Sequence, residues 1–275
     1  MSTLDTPRHS AAWLGLREDA DAAARATALL DPLRDRLPDA SPLIVCDLGA
    51  GTGAMGRWLA RHLPGRQHWI LFDRDPVLLR RAASTMVDTA ADGAPVTVAT
   101  RQIDIADLAA DDLTGAGLVT ASALLDLLTR DHVDRIAAAC AAASCPALLT
   151  LSVTGEVELT PPDPLDVEVA AAFNSHQRRR TGGRRLLGPD AVDAADRAFT
   201  RRGSTVLVRP SPWRLGPDQT ALMRQWLRSW VAAAGAQRPD LTGAASAYLE
   251  RRLAAVDAGE LQVVVGHHDL LAYRE

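Results

Sequence analysis

Lysine is absent from this chain of 275 residues: all 30 of its basic side chains are arginine, a uniformity that points to genomic base composition rather than to function. Acidic residues number 34, and the resulting net charge of −4 argues against a protein that coats nucleic acid. Cysteine is scarce. Cys46, Cys140 and Cys145 are odd in number, sit in apolar or alanine-rich surroundings and have neither C-x-x-C spacing nor a paired histidine, so they read as reduced core thiols of a cytosolic protein. No run approaches the length of a membrane span, and the first ten residues lack the apolar stretch of a secretory signal; the expectation is a cytoplasmic protein with no membrane contact. No metal is expected either, because His267-His268 lacks an acid and a third ligand at zinc-site spacing. Aromatic residues make up only 4%, so each of the six tryptophans needs a reason. Hydrophobic residues reach 47%, much of it alanine, which is ample for a core and favours helices.

The chain is organised around Leu43-Ile-Val-Cys-Asp-Leu-Gly-Ala-Gly-Thr-Gly-Ala-Met-Gly56. Leu43 to Cys46 is a short branched run that suits a strand buried on both faces of a parallel sheet. After Asp47, glycines at 49, 51 and 53 let the backbone turn sharply and leave amides open at the start of a helix, so the turn can hold a cofactor by its main chain. Gly51 to Gly56 also fits the dinucleotide pattern G-x-G-x-x-G. Asp47 decides between the two, since a carboxylate beside a pyrophosphate is repulsive in a partly dry cleft, whereas a cationic ligand without phosphate is attracted.

The stretch resembles motif I of the class I S-adenosylmethionine-dependent methyltransferases, in the form D-x-G-x-G-x-G. The resemblance covers residues 43 to 153 and one of layout continues beyond. It implies that Asp47, Gly49, Ala50, Gly51 and Gly53 cradle S-adenosylmethionine. Asp73, closing the strand Trp69–Phe72 about 20 residues on, would then accept the ribose hydroxyls with Arg74 beside it. Asp75 fits the cap of the helix opened by Pro76 better. By the same resemblance Asp104 meets the adenine amino group and Ile105 packs on the ring, while Asp107 sits where a cap is expected. Ala121, near the end of the fourth strand, is also placed at the cofactor.

Before motif I, residues 11 to 37 read as an amphipathic helical region broken at Pro32. Arg17, Asp21 and Arg25 share a face, either as a solvated charged stripe or, as in several methyltransferase families, with an arginine bound to the cofactor carboxylate. Strands and helices alternate from 43 to 153, which demands a parallel sheet with right-handed crossovers. The fold expected is an α/β, doubly wound, Rossmann-like sheet of seven mostly parallel strands. Its last strand is antiparallel, as the family implies, with helices at the N-terminus and a helical insertion at 216–258 before that strand. A single domain is expected over 1–275: a helical segment 1–40, a cofactor core 41–155 and a substrate side 156–275.

The acceptor is harder to read. The motif [DNS]-P-P-[YFW] of enzymes that methylate base amines is missing after the fourth strand. Asp126, amid four leucines, is either a helix-surface residue or one turned into the cleft as a catalytic group. His132 reads as a first-turn surface residue without a role. The segment 161–190 carries five arginines in eight residues, from 178 to 185, and overhangs the carboxyl edge of the sheet. His176 there is a base, a substrate ligand or a structural histidine. The expected activity is methyl transfer to O, N or C of a small molecule, with an anionic group facing these arginines. RNA as acceptor, with Arg178 to Arg185 as a phosphate track, and a non-catalytic cofactor-binding protein of the same fold are the alternatives.

Overall fold

The structure is a computed structural model that describes residues 10–39 and 41–274. Its strands follow the sequence pattern closely. β1 (Leu43–Leu48), β2 (Gln67–Asp73), β3 (Val96–Gln102), β4 (Leu118–Ser122) and β5 (Ala147–Thr160) pair in parallel in the order β3-β2-β1-β4-β5. β10 (Gln262–Tyr273) runs antiparallel to β5 on one side and to β8 (Thr205–Pro210) on the other, which completes seven strands with the last one reversed. A short strand β9 (Trp213–Leu215) adds to the first half of β10.

The period of two along each strand sorts side chains between two cores. Leu43 and Val45 of β1, with Leu118 and Leu148, pack against α3 (Ala54–Ala60) and the N-terminal helix α2 (Leu30–Arg34). Cys46 and Leu48, with Val119, Ala121 and Leu149, face α5 (Arg130–Ala143) and α7 (Ala191–Thr200). α4 (Pro76–Thr85) follows β2 and packs against β2 and β3.

A third core lies beyond the parallel sheet. β5 and β10 continue past it as a two-stranded ribbon, bent at register shifts between Val265 and His267 and between His268 and Leu270. Gly266 is required at this bend, because a Cβ there would lie 2.3 Å from Thr154 Oγ1. Onto the ribbon pack α6 (Asp166–Gln177), α8 (Thr220–Gln237) and α9 (Thr242–Asp257), around Leu159, Leu227, Trp230 and Tyr248. Trp226 and Trp230 stack at 5.0 Å and 17°, worth about 0.5–1.5 kcal/mol beyond the area they bury.

One expectation changes. The helical region near the N-terminus breaks after α1 (Ala11–Ala24), at Arg25-Ala26, and not at Pro32; Pro32 sits in the first turn of α2, where a missing N–H costs nothing. The segment 161–190 contains the helix α6 and a hairpin, β6 (Arg180–Thr181) with β7 (Arg184–Arg185). Among the described residues no helix is long and apolar enough to cross a membrane.

Candidate active site

Strand order reverses between β1 and β4, and in an open α/β sheet the crevice at the carboxyl ends of those strands is where ligands bind. A cavity of about 180 Å³ lies there. β1 delivers Asp47 to it. That side chain is 1% exposed; Oδ1 accepts a 2.7 Å hydrogen bond from Thr120 Oγ1 on β4, and Oδ2 is buried without a partner among the described residues. Burial pushes its pKa up to about 7, against the opposing pull of the Thr120 bond and of Arg25.

The chain then turns through Gly49, Ala50 and Gly51, all on the cavity wall. Gly49 and Gly51 have φ of +64° and +55°, and a Cβ would come within 2.9 Å of Leu124 Cδ1 and 3.2 Å of Leu14 Cδ1 respectively. Gly53 faces away, toward Ala82 of α4 and Arg57, and does not line the cavity. Neither does Ala121: with Val119 it belongs to the face of β4 that packs on α5 and α7.

Asp73, at the end of β2, lines the cavity beside Arg74 and braces the glycine turn: Oδ2 accepts from Gly51 N at 2.8 Å and Oδ1 from Asp75 N at 2.9 Å. Burial raises its pKa and these two bonds oppose the shift. Each oxygen keeps a lone pair for a further donor. Asp75 caps α4 through Val77 N, as its position before Pro76 implies. Asp104 and Ile105 also line the cavity. Here the cap is Asp104 itself, which accepts from Ala106 N at 2.9 Å, and Asp107 lies inside that short turn.

The charged stripe of α1 divides. Arg17 forks onto Asp21, with Nε 2.9 Å from Oδ2 and Nη2 3.1 Å from Oδ1, and lies over Trp213 at 4.9 Å. Asp21 also accepts from Trp213 Nε1 at 2.9 Å. Arg25, at the break after α1, turns inward instead and is 3% exposed. Its Nη2 donates to Ser122 Oγ at 3.2 Å, the group lies over Trp58 at 5.1 Å, and Nε and Nη1 are buried without hydrogen-bond partners among the described residues. Desolvation lowers its pKa, while Asp21, Asp269 and Asp47 pull it back up. The break is held by Asp269 of β10, which accepts from Ala26 N at 2.8 Å, Leu151 N at 2.7 Å and Ser211 Oγ at 2.6 Å.

A second cavity, of about 470 Å³, adjoins the first, with Arg17, Ala123 and Leu127 on both walls. Asp126 and His176 line it. Burial pushes the Asp126 pKa up to about 6, with Arg17 and Arg179 opposing, and no other side chain among the described residues hydrogen-bonds to it. His176 sits in the last turn of α6, its pKa lowered by burial and by Arg179. Ala123, just past the end of β4, and Leu151, just past the stretch of β5 that pairs with β4, hold φ of +50° and +56° and line this cavity, and backbone strain of that kind gathers at functional sites.

The arginine cluster does not converge on this cavity. Arg178 pairs with Asp190 at 2.7 Å, Arg185 lies 3.7 Å from the same carboxylate, and Arg180, Arg184 and Arg185 are exposed on the hairpin. Arg179 alone of the five lines the cavity, donating from Nη1 to His176 O at 3.3 Å.

Sequence reasoning passed over several lining residues. His132 is buried, not a surface residue: it exchanges backbone and side-chain hydrogen bonds with Thr129 at the start of α5 and lines the first cavity. The spacing of three from Thr129 is the signal that could have shown it. His267, Trp213 and Gln177 line the second cavity, and only the β5–β10 ribbon brings them together with α6.

A family model described as a methyltransferase domain matches residues 45–146. No curated protein matches the chain. Among solved structures, a cyclopropane synthase of Mycobacterium tuberculosis is 12% identical, with 89% of this chain and 83% of that one covered at a TM-score of 0.47. An S-adenosylmethionine-dependent methyltransferase of Geobacter sulfurreducens, in complex with S-adenosyl-L-homocysteine, is 16% identical over 99% and 100% of the two chains, at 0.45. A magnesium protoporphyrin IX methyltransferase of Synechocystis, with the same product bound, is 16% identical over 76% and 83%, at 0.44. These likenesses are too distant to carry over a substrate.

Proposed function

We propose that the protein, whose residues 45–146 match a methyltransferase domain, uses S-adenosylmethionine to methylate a small molecule held in the second cavity. The observation that carries the proposal is the pair of unsatisfied charged groups in the first: Asp47 Oδ2 and Arg25 Nε and Nη1 are buried without protein partners on a glycine-lined wall. An unpaired buried carboxylate and guanidinium are costly unless a ligand completes them. A zwitterion with an ammonium and a carboxylate does so, and that is the amino-acid end of S-adenosylmethionine.

In this reading Asp47 holds the ammonium and Arg25 the carboxylate. Asp73 takes the ribose hydroxyls with the lone pairs its backbone bonds leave free, and Asp104 with Ile105 receives the adenine. The bound cofactor supplies a methyl group already activated by its sulfonium, and the electrons of the broken C–S bond stay on sulfur. The chain's own work is therefore chiefly alignment and exclusion of water. Ala123 and Leu127, on the wall common to both cavities, border the passage between cofactor and acceptor. Asp126 takes the proton that the acceptor's oxygen or nitrogen sheds as the new bond to carbon forms, and its pKa of about 6 leaves it ionised at neutral pH. His176 orients the acceptor, and Arg179 offers a cation to any anionic substituent.

The test has two arms. Calorimetry should give one-to-one binding of S-adenosylhomocysteine to the wild-type protein, and a screen of small-molecule acceptors should release it from S-adenosylmethionine in an Asp126-dependent way. Binding without any Asp126-dependent turnover would leave a cofactor-binding protein and sink the catalytic proposal.

A further inference from the structure

Aromatic residues are few in this chain, six Trp, two Tyr and three Phe, yet four Trp and one Phe line the second cavity. They come from distant parts of the sequence: Trp13 from α1, Phe173 from α6, Trp213 from β9, and Trp226 and Trp230 from α8. Trp213, Trp226 and Trp230 belong to the third core and Trp13 and Phe173 pack against it, yet all five also border about 470 Å³ of open space, the size of a drug-like ligand site.

The same wall carries polar atoms without partners. Trp230 Nε1, Gln177 Oε1 and His267 Nδ1 are all buried and have no hydrogen-bond partner among the described residues. Trp230 and His267 are themselves 1% and 4% exposed. Burial drives the His267 pKa down to about 3, so the ring is neutral and keeps one donor and one acceptor nitrogen. The cations of this wall do not cluster: Arg17 is paired with Asp21, and Arg179 donates to His176 O.

We infer that the acceptor in this cavity is a planar aromatic molecule bearing at least two hydrogen-bonding substituents, hydroxyl or amino groups, one of them the methylated atom. The inference rests on the methyltransferase reading for the word acceptor. Three classes of small molecule compete for the space. An alkyl chain fills it but leaves Trp230 Nε1, Gln177 Oε1 and His267 Nδ1 unpaired, each a loss of roughly 5- to 100-fold in affinity. A polyphosphate finds no free cluster of cations. A decorated aromatic ring lies along the aromatic wall and offers its edge to the three polar atoms while a further substituent reaches Asp126.

The experiment is equilibrium binding to the full chain, read by quenching of tryptophan fluorescence and by calorimetry, with S-adenosylhomocysteine at saturation. The probes are naphthalene-2,3-diol, naphthalene and 1,10-decanediol, which separate planarity from hydrogen bonding. The diol of naphthalene should bind at least about tenfold more tightly than either control. Trp226→Leu should weaken it by a similar factor without changing the affinity for S-adenosylhomocysteine; should that variant not fold, Gln177→Leu tests the polar contact and the three-probe comparison on wild type stands by itself. Decanediol or naphthalene binding as well as naphthalenediol, or no naphthalenediol binding by a protein that binds S-adenosylhomocysteine normally, overturns the inference and leaves the methyltransferase reading intact. Failure to bind S-adenosylhomocysteine overturns that reading instead.

Discussion

Cofactor affinity should depend on pH through Asp47. Its folded pKa is about 7 because burial penalises the charge, whereas an ordinary aspartate ionises near 3.8. Below about pH 7 the ligand-free protein therefore carries a proton on Asp47. An ammonium binds the ionised form, so binding must expel that proton, and affinity should rise about tenfold per pH unit from pH 5 until it levels off near pH 7, or about 100-fold in all, equivalent to about 2.7 kcal/mol. The same shift has the opposite sign for stability. The folded state holds one more proton than the unfolded one between about pH 4 and 7, so this group alone makes the ligand-free protein less stable as pH rises through that window. Titration calorimetry of S-adenosylhomocysteine at pH 6, in two buffers of different ionisation enthalpy, should show release of nearly one proton. Asp47→Asn should bind weakly and without the slope. A wild-type affinity that is flat from pH 5 to 7, or a slope that survives in Asp47→Asn, would refute the reasoning.

Other substitutions separate the remaining roles. Asp73→Ala should weaken cofactor binding by about 1–3 kcal/mol, measured by calorimetry, and should also lower the thermal midpoint, because the side chain braces Gly51 N and Asp75 N as well. Arg25→Met should weaken S-adenosylmethionine roughly tenfold or more and leave methylthioadenosine, which lacks the carboxylate, almost unchanged; Arg17→Met, whose cation is already matched by Asp21, should spare both ligands. Once an acceptor is in hand, Asp126→Asn should lower turnover by roughly 10²-fold with cofactor affinity unchanged, and the wild-type rate should climb with pH through about 6 as the carboxylate ionises. A pH-independent rate across that range would remove Asp126 as the base.

How much of this can be read from the chain depends on how local the determinants are. The strands from 43 to 153, the glycine turn and the acids closing β1, β2 and β3 are visible because each is a short contiguous pattern. Asp47, Asp73 and Asp104 reach one cavity because parallel strands end on one edge. The seven-stranded order with its reversed last strand also follows from the resemblance. Long-range pairing was not legible. The arginines of 178–185 look like an anion site until Asp190 neutralises Arg178 and the hairpin turns Arg180, Arg184 and Arg185 to solvent, which leaves only Arg179 on the cavity. His132 looks exposed until the start of α5 packs beneath the cofactor cavity. The second cavity needs Trp213, His267 and Trp230, which the bent β5–β10 ribbon and the helices on it bring together.

The central claim is that the cavity at the β1–β4 switch point takes a zwitterionic, phosphate-free nucleoside. Parallel calorimetric titrations of the purified protein with S-adenosylhomocysteine and with NAD at neutral pH test it most directly. The account predicts saturable one-to-one binding of S-adenosylhomocysteine, weakened at least about tenfold in Arg25→Met, and no binding of NAD, whose pyrophosphate meets the acids around the glycine turn. Binding of NAD with S-adenosylhomocysteine excluded would contradict it.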